Sequence, residues 1–254
     1  MAYFTSDGLQ LAYDEFGPRD ARKAIVLLHG FSANRYENFK RMGWYDAIAA
    51  KGLRGLAFDH RGHGESAKPH EPENYARDAM ARDVFALLDH AGVERAHLLG
   101  FSMGSHVALT AALLEGSRID HLVVGGVGSR LFEPPRDPDG MAKAMEAPTP
   151  DEIADPMLRS FRHFADEQKE DRLALAACSR GPRMPFTPDS LMGVRRPTLV
   201  IAGMRDQLAG PPQSLADAIP GAKAVTVPGC DHFSLVSHGL FKASVFDFFD
   251  GWLE

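Results

Sequence analysis

The chain has 254 residues, 44% hydrophobic and 24% charged, a balance that fits a globular protein and excludes a disordered one. Lys plus Arg total 28 against 34 Asp plus Glu, a formal net charge of −6, which leaves no basic excess to hold a nucleic-acid backbone. Two cysteines, Cys178 and Cys230, cannot build a disulfide framework and fit a reducing compartment.

Residues 1–8 carry neither a basic region nor an apolar core, so no signal peptide is expected. No apolar run approaches the ~18 residues of a membrane span. The expectation is therefore a cytoplasmic protein with no membrane and no nucleic-acid partner, monomeric or a small homo-oligomer. Tyr3 to Phe16 alternates and carries Asp7-Gly8 near its middle, which predicts a hairpin. Short, continuous apolar runs follow at Ala24–Leu28, Arg54–Phe58, Ala96–Gly100, His121–Val127, Thr198–Ala202 and Ala222–Val227. Strands buried on both faces read this way. Helical patterns separate them at Ala76–Ala91, Met103–Glu115 and Pro211–Ala218, with Met80, Val84, Leu87 and Leu88 forming a stripe of helical period. Alternation of this kind predicts an α/β fold with a mostly parallel sheet and helices on both faces.

The rhythm stops between Val127 and Pro197. Pro134, Pro135, Pro138, Pro148, Pro150, Pro156, Pro182, Pro185 and Pro188 crowd this stretch, with helical pieces at Glu152–Phe164 and Asp166–Cys178. Residues 129–196 are expected to form a helical cap on a core made of residues 1–128 and 197–254. Met157, Leu158, Phe161 and Phe164 argue that the segment is ordered.

Gly100-Phe101-Ser102-Met103-Gly104 matches G-x-S-x-G, directly after a strand and opening a helix. A sharp strand-to-helix turn lifts the Ser102 hydroxyl above the sheet edge. The flanking glycines leave room where a Cβ would obstruct, and the helix N-terminus offers free N–H groups. Serine needs a base. Of the 11 histidines, His232 is the best placed, in Pro228-Gly229-Cys230-Asp231-His232-Phe233 after the last strand. The base needs a carboxylate to fix its tautomer. Asp206, in Gly203-Met204-Arg205-Asp206, supplies it in the chain order Ser, Asp, His. Asp231 is too close to His232 along the chain to orient it, and Glu133 is the remaining alternative. An oxyanion needs backbone donors; Met103 N–H and Phe31 N–H, the latter in His29-Gly30-Phe31-Ser32, are the candidates.

With these residues in view the chain resembles the α/β-hydrolase superfamily. The resemblance runs through His29–Phe31, Asp59-His60-Arg61-Gly62-His63-Gly64-Glu65-Ser66, Gly100–Gly104, Gly203–Asp206 and Gly229–Phe233. It implies an eight-stranded sheet, a cap after the sixth strand, the triad Ser102, Asp206 and His232, and a structural role for the Asp59–Ser66 turn. The chain departs from the family in two places. Ser105-His106 stands where members often carry a further glycine, and His106 is expected to pack the helix, with a place at the border of the site as the alternative. The His29 loop has neither the triple glycine of hormone-sensitive-lipase-like esterases nor the Gly-Gly-x-Pro-Gly loop frequent in C–C hydrolases and prolyl peptidases.

The reading that follows is a serine hydrolase cleaving a small to medium carboxylic ester, or a related small-molecule acyl compound, through an acyl-enzyme. The same triad could serve C–C bond hydrolysis, perhydrolysis or acyl transfer, or the fold could bind a ligand without catalysis. Relatives that cleave halides and epoxides carry Asp at the nucleophile position, which here is Ser102. His60-Arg61-Gly62-His63 is not a metal-ligand set, and no G-x-G-x-x-G follows a strand, so neither metal nor organic cofactor is expected.

Overall fold

A computed structural model describes residues 2–134 and 137–252; Pro135, one of the prolines noted above, lies outside them. The strands are β1 (Ala2–Ser6), β2 (Leu9–Phe16), β3 (Ala24–Leu28), β4 (Arg54–Phe58), β5 (Ala96–Phe101), β6 (Ile119–Gly125), β7 (Thr198–Gly203) and β8 (Lys223–Val227). They form one eight-stranded sheet in the order β1-β2-β4-β3-β5-β6-β7-β8. The first two pair antiparallel to each other, β2 pairs antiparallel to β4, and every later pairing is parallel.

The opening hairpin turns on Asp7 and Gly8, with φ of 47° and 77°. A two-residue loop with both central φ positive matches the twist of its flanking strands, which is why Asp-Gly serves there. Strand β6 begins and ends two residues before the expected His121–Val127. Gly126 ends it at φ 68° and sends its N–H across to Ile201 O.

The helices are α1 (Trp44–Ala50), α2 (Arg77–His90), α3 (Met103–Glu115), α4 (Gly140–Glu146), α5 (Pro156–Glu167), α6 (Arg172–Arg180), α7 (Pro188–Leu191), α8 (Gln213–Asp217), α9 (His232–Leu235) and α10 (Gly239–Phe249). Alternate strand residues face opposite sides. Val26, Leu28, Leu98, Val124 and Val200 meet α2, α3 and α8 on one face. Ile25, Leu27, Leu99, Val123 and Leu199 meet α1 and α10 on the other. This double burial is the reason the central strands read as unbroken apolar runs.

Between β6 and β7 the helices differ from expectation. Helix α5 begins at Pro156, not Glu152, because Asp155 caps it, accepting the N–H groups of Met157 and Leu158. Helix α6 begins at Arg172, not Asp166, because Lys169 takes φ 56° and Asp171 caps the new start. Ala142, Met145, Phe161, Ala165, Leu175 and Ala176 of α4, α5 and α6 bury a small apolar cluster of their own. Farther along, Cys178, Phe186, Leu191 and Val194 join the main core. Among the described residues no helix is long and apolar enough to cross a membrane.

Candidate active site

Ser102 sits between β5 and α3 with φ 53° and ψ −116°, a conformation that L side chains rarely adopt. Such a residue costs of order 1–3 kcal/mol and persists only where its surroundings over-determine it. Here they do. Ser102 N–H bonds Gly125 O at 2.8 Å, and Ser105 Oγ lies 2.9 Å from the carbonyls of both Gly100 and Gly125. A Cβ on Gly104 would stand 2.0 Å from Leu28 O, so α3 seats on β3 only because that residue has none.

The serine hydroxyl meets His232 Nε2 at 2.9 Å, across 130 residues of chain. His232 Nδ1 meets Asp206 Oδ2 at 2.8 Å. The other Asp206 oxygen, Oδ1, accepts the N–H groups of Leu208 at 3.0 Å and Ala209 at 2.9 Å, which fixes the carboxylate plane. His232 is 5% exposed and Asp206 4%, so solvent competes little for either bond. Each follows a neighbouring parallel strand at the carboxyl edge of the sheet, Asp206 in the loop after β7 and His232 at the first position of α9 after β8.

The alternatives considered for the acid lie elsewhere. Asp231 caps α9, accepting Ser234 N–H while Ser234 Oγ accepts its own. Glu133 is exposed. His106 packs edge-on to Phe186 at 6.2 Å, and burial lowers its pKa to about 3.

The loop carrying Phe31 is clamped at the preceding peptide. His29 Nε2 accepts His60 N–H at 2.9 Å, so the ring proton is on Nδ1, which donates to Gly30 O at 2.8 Å. Burial holds His29 neutral, its pKa lowered to about 4. Gly30 N–H in turn donates to Asn38 Oδ1 at 2.8 Å. The Gly30 carbonyl and the Phe31 N–H belong to one planar peptide and point opposite ways. Anchoring the carbonyl therefore sets the direction of the N–H. Met103 is the first residue of α3, where an N–H has no partner within the helix. Sequence reasoning missed the parts of His29 and Asn38, which only the folded loop brings together.

A cavity of about 470 Å³ opens over Ser102 and His232. Phe31, Phe101, Phe161, Phe164 and Phe233 line much of it, together with Glu37, Asn38 and Arg41 and with Ser160, His163 and Glu167 of α5. None of Asp59 to Ser66 lines it. That turn is an internal brace: Arg61 binds Asp83 through two nitrogens and Asn74 O through a third, and Asp59 binds Arg35. Within it, His60 and His63 meet the ring of His29 at centroid distances of 4.6 and 5.2 Å, all three fully buried. Burial lowers the pKa of His63 to about 3 and that of His60 well below the ordinary range.

A family model for the alpha/beta hydrolase fold matches residues 23–187. A 2-hydroxy-6-oxononadienedioate/2-hydroxy-6-oxononatrienedioate hydrolase of Pseudomonas putida is 27% identical, with 94% of this chain and 91% of that protein covered. Among solved structures, the enol-lactonase from Burkholderia xenovorans superposes with a TM-score of 0.78 at 26% identity, covering 98% of this chain and 100% of that one. A hydrolase from Pseudomonas aeruginosa gives 0.75 at 28% identity, covering 98% and 97%. Sheet order, serine turn and full-length likeness agree, and the chain belongs to the alpha/beta-hydrolase family of enzymes.

Proposed function

We propose that Ser102, His232 and Asp206 are a catalytic triad and that the chain hydrolyses small to medium carboxylic esters through an acyl-enzyme. The observation that carries this reading is the continuous relay from Ser102 Oγ to His232 Nε2 at 2.9 Å and from His232 Nδ1 to Asp206 at 2.8 Å. His232 takes the Ser102 proton as Oγ adds to the acyl carbon. Phe31 and Met103 N–H hold the resulting oxyanion. Collapse of this intermediate breaks the bond to the alcohol, which leaves with the proton from His232. Water then attacks the acyl-serine, giving its proton to His232. Collapse frees the acid and returns that proton to Ser102.

The phenylalanines lining the cavity support an apolar acyl or alcohol group, and the volume of about 470 Å³ supports a compact one. Residues 129–196 act as the cap, with α5 as the wall that faces the nucleophile. Two free, buried cysteines support a cytoplasmic setting.

The test is a p-nitrophenyl ester series of increasing acyl length on wild type and Ser102→Ala. Loss of at least ~10³-fold in kcat is expected. Undiminished turnover by folded Ser102→Ala would remove the triad reading. The likeness to the Pseudomonas putida hydrolase supports C–C bond hydrolysis as a second reading. Faster turnover of the substrate named for that relative than of any ester would favour it.

A further inference from the structure

The cavity over Ser102 is not apolar throughout. One wall is a π-helical turn, Tyr36–Lys40. Its Glu37 and Asn38 face the cavity together with Arg41. Asn38 is already committed, since its Oδ1 holds Gly30 N–H. Glu37 is only 8% exposed, and its carboxylate meets Arg41 Nη2 at 2.6 Å. The two partners of this ion pair are unequal. The Glu37 side chain is 10% exposed and the Arg41 side chain 52%. Water screens the cation far more than the anion, so the pair presents a net negative field to the cavity. The lining also includes Ser160, His163 and a second carboxylate, the exposed Glu167 of α5. Among the described lining residues Arg41 is the sole lysine or arginine, and Glu37 already holds it.

We propose that Glu37 is a specificity-determining residue that sets the cavity against carboxylate-bearing substrates and in favour of esters whose distal end is neutral or cationic. The inference rests on hydrolysis at Ser102. An entering carboxylate gives up water, meets no unpaired guanidinium or ammonium, and faces the buried Glu37 charge. A neutral chain makes the same contacts with Phe161 and Phe164 without that penalty. A quaternary ammonium is attracted both by the buried Glu37 carboxylate and by the aromatic faces.

The experiment compares three p-nitrophenyl esters of matched length: the hexanoate, the monoester of adipate, and the 5-(trimethylammonio)pentanoate. Wild type is expected to show kcat/KM about threefold or more lower for the adipate ester than for the hexanoate. An unopposed unit charge roughly 10 Å away is worth about tenfold at an effective dielectric constant near 20, and Arg41 cancels part of it. The trimethylammonium ester is expected to equal or exceed the hexanoate. Glu37→Gln frees Arg41 and raises the adipate-to-hexanoate ratio to near or above one. Arg41→Gln leaves Glu37 unopposed and lowers the ratio further.

Opposite shifts in the two variants support the proposal. A ratio unchanged within about twofold in both, shifts in the same direction, or a wild-type preference for the adipate ester overturns it. Calorimetric binding of the same esters to Ser102→Ala reads the preference without turnover. A hexanoate ester that binds but is never cleaved by wild type therefore counts against the esterase reading alone. An equal affinity for hexanoate and adipate esters counts against Glu37 alone.

Discussion

Replacing Asp206 by Asn tests the relay at the point where geometry leaves least freedom. The two oxygens of Asp206 have different duties: Oδ1 accepts from Leu208 and Ala209 N–H, and Oδ2 faces His232 Nδ1. An asparagine keeps its oxygen on the two backbone donors and so turns its NH₂ toward His232. The ring must then accept at Nδ1 and carry its proton on Nε2, which points that N–H at Ser102 Oγ and occupies the base. Restoring the working tautomer requires flipping the amide, which sets NH₂ against both backbone N–H groups. Leaving two buried donors unsatisfied costs about 1–3 kcal/mol each, so about 2–6 kcal/mol in all. At 1.36 kcal/mol per decade the expected fall in kcat is about 30-fold to about 10⁴-fold at neutral pH. KM should move little, since Asp206 does not line the cavity. Steady-state hydrolysis of p-nitrophenyl butyrate measures both constants, and thermal melting confirms the fold. A folded Asp206→Asn enzyme with kcat within tenfold of wild type would refute the tautomer argument, and Glu133→Gln, at an exposed position, serves as the unaffected control.

Two further outcomes rest on other parts of the molecule. Gly104→Ala places a Cβ 2.0 Å from Leu28 O and 2.8 Å from His29 O, both backbone atoms that cannot swing away. The expected loss is on the order of 3 kcal/mol or more of stability in urea unfolding, and a midpoint equal to wild type would contradict the close seating of α3. Glu170 accepts Gly64 N–H at 2.8 Å and Asn34 Nδ2 at 3.2 Å, and burial raises its pKa from 4.5 to about 6. A raised carboxyl pKa means that the folded state binds its proton more tightly, so this stabilising contribution is full below about pH 4.5 and is lost as pH rises through about 6. Relative to Glu170→Gln, wild type should therefore gain up to about 2 kcal/mol on going from pH 7.5 to pH 4; a difference between the two proteins that stays constant with pH would show that Glu170 does not titrate in this window.

Much of the fold and the reacting residues could be read from local chemistry. Asp7-Gly8 specifies its turn because both residues tolerate positive φ. Short apolar runs mark strands because both faces of this sheet are covered. Gly100 to Gly104 marks the nucleophile because so tight a strand-to-helix turn excludes larger side chains. His232 and Asp206 could be named because chain order in a parallel sheet places successive loops at one edge. Other features carried no local signal. Helix α10 was not anticipated: Phe241, Val245, Phe246, Phe248 and Phe249 crowd it with apolar residues and blur its amphipathic period. The starts of α5 and α6 depended on which of several aspartates acted as caps.

Only the tertiary structure decided the strand order, since an apolar run does not encode its neighbour. It alone brought Ser102 within 2.9 Å of a histidine 130 residues away. It also turned His29 and Asn38 onto the two peptides that flank Gly30 and set Glu37, with Arg41, in the cavity that Ser102 lines. Local sequence sets backbone conformation and the pattern of burial. The position of a charge in a cavity, and how much water screens it, depends on every element packed around it.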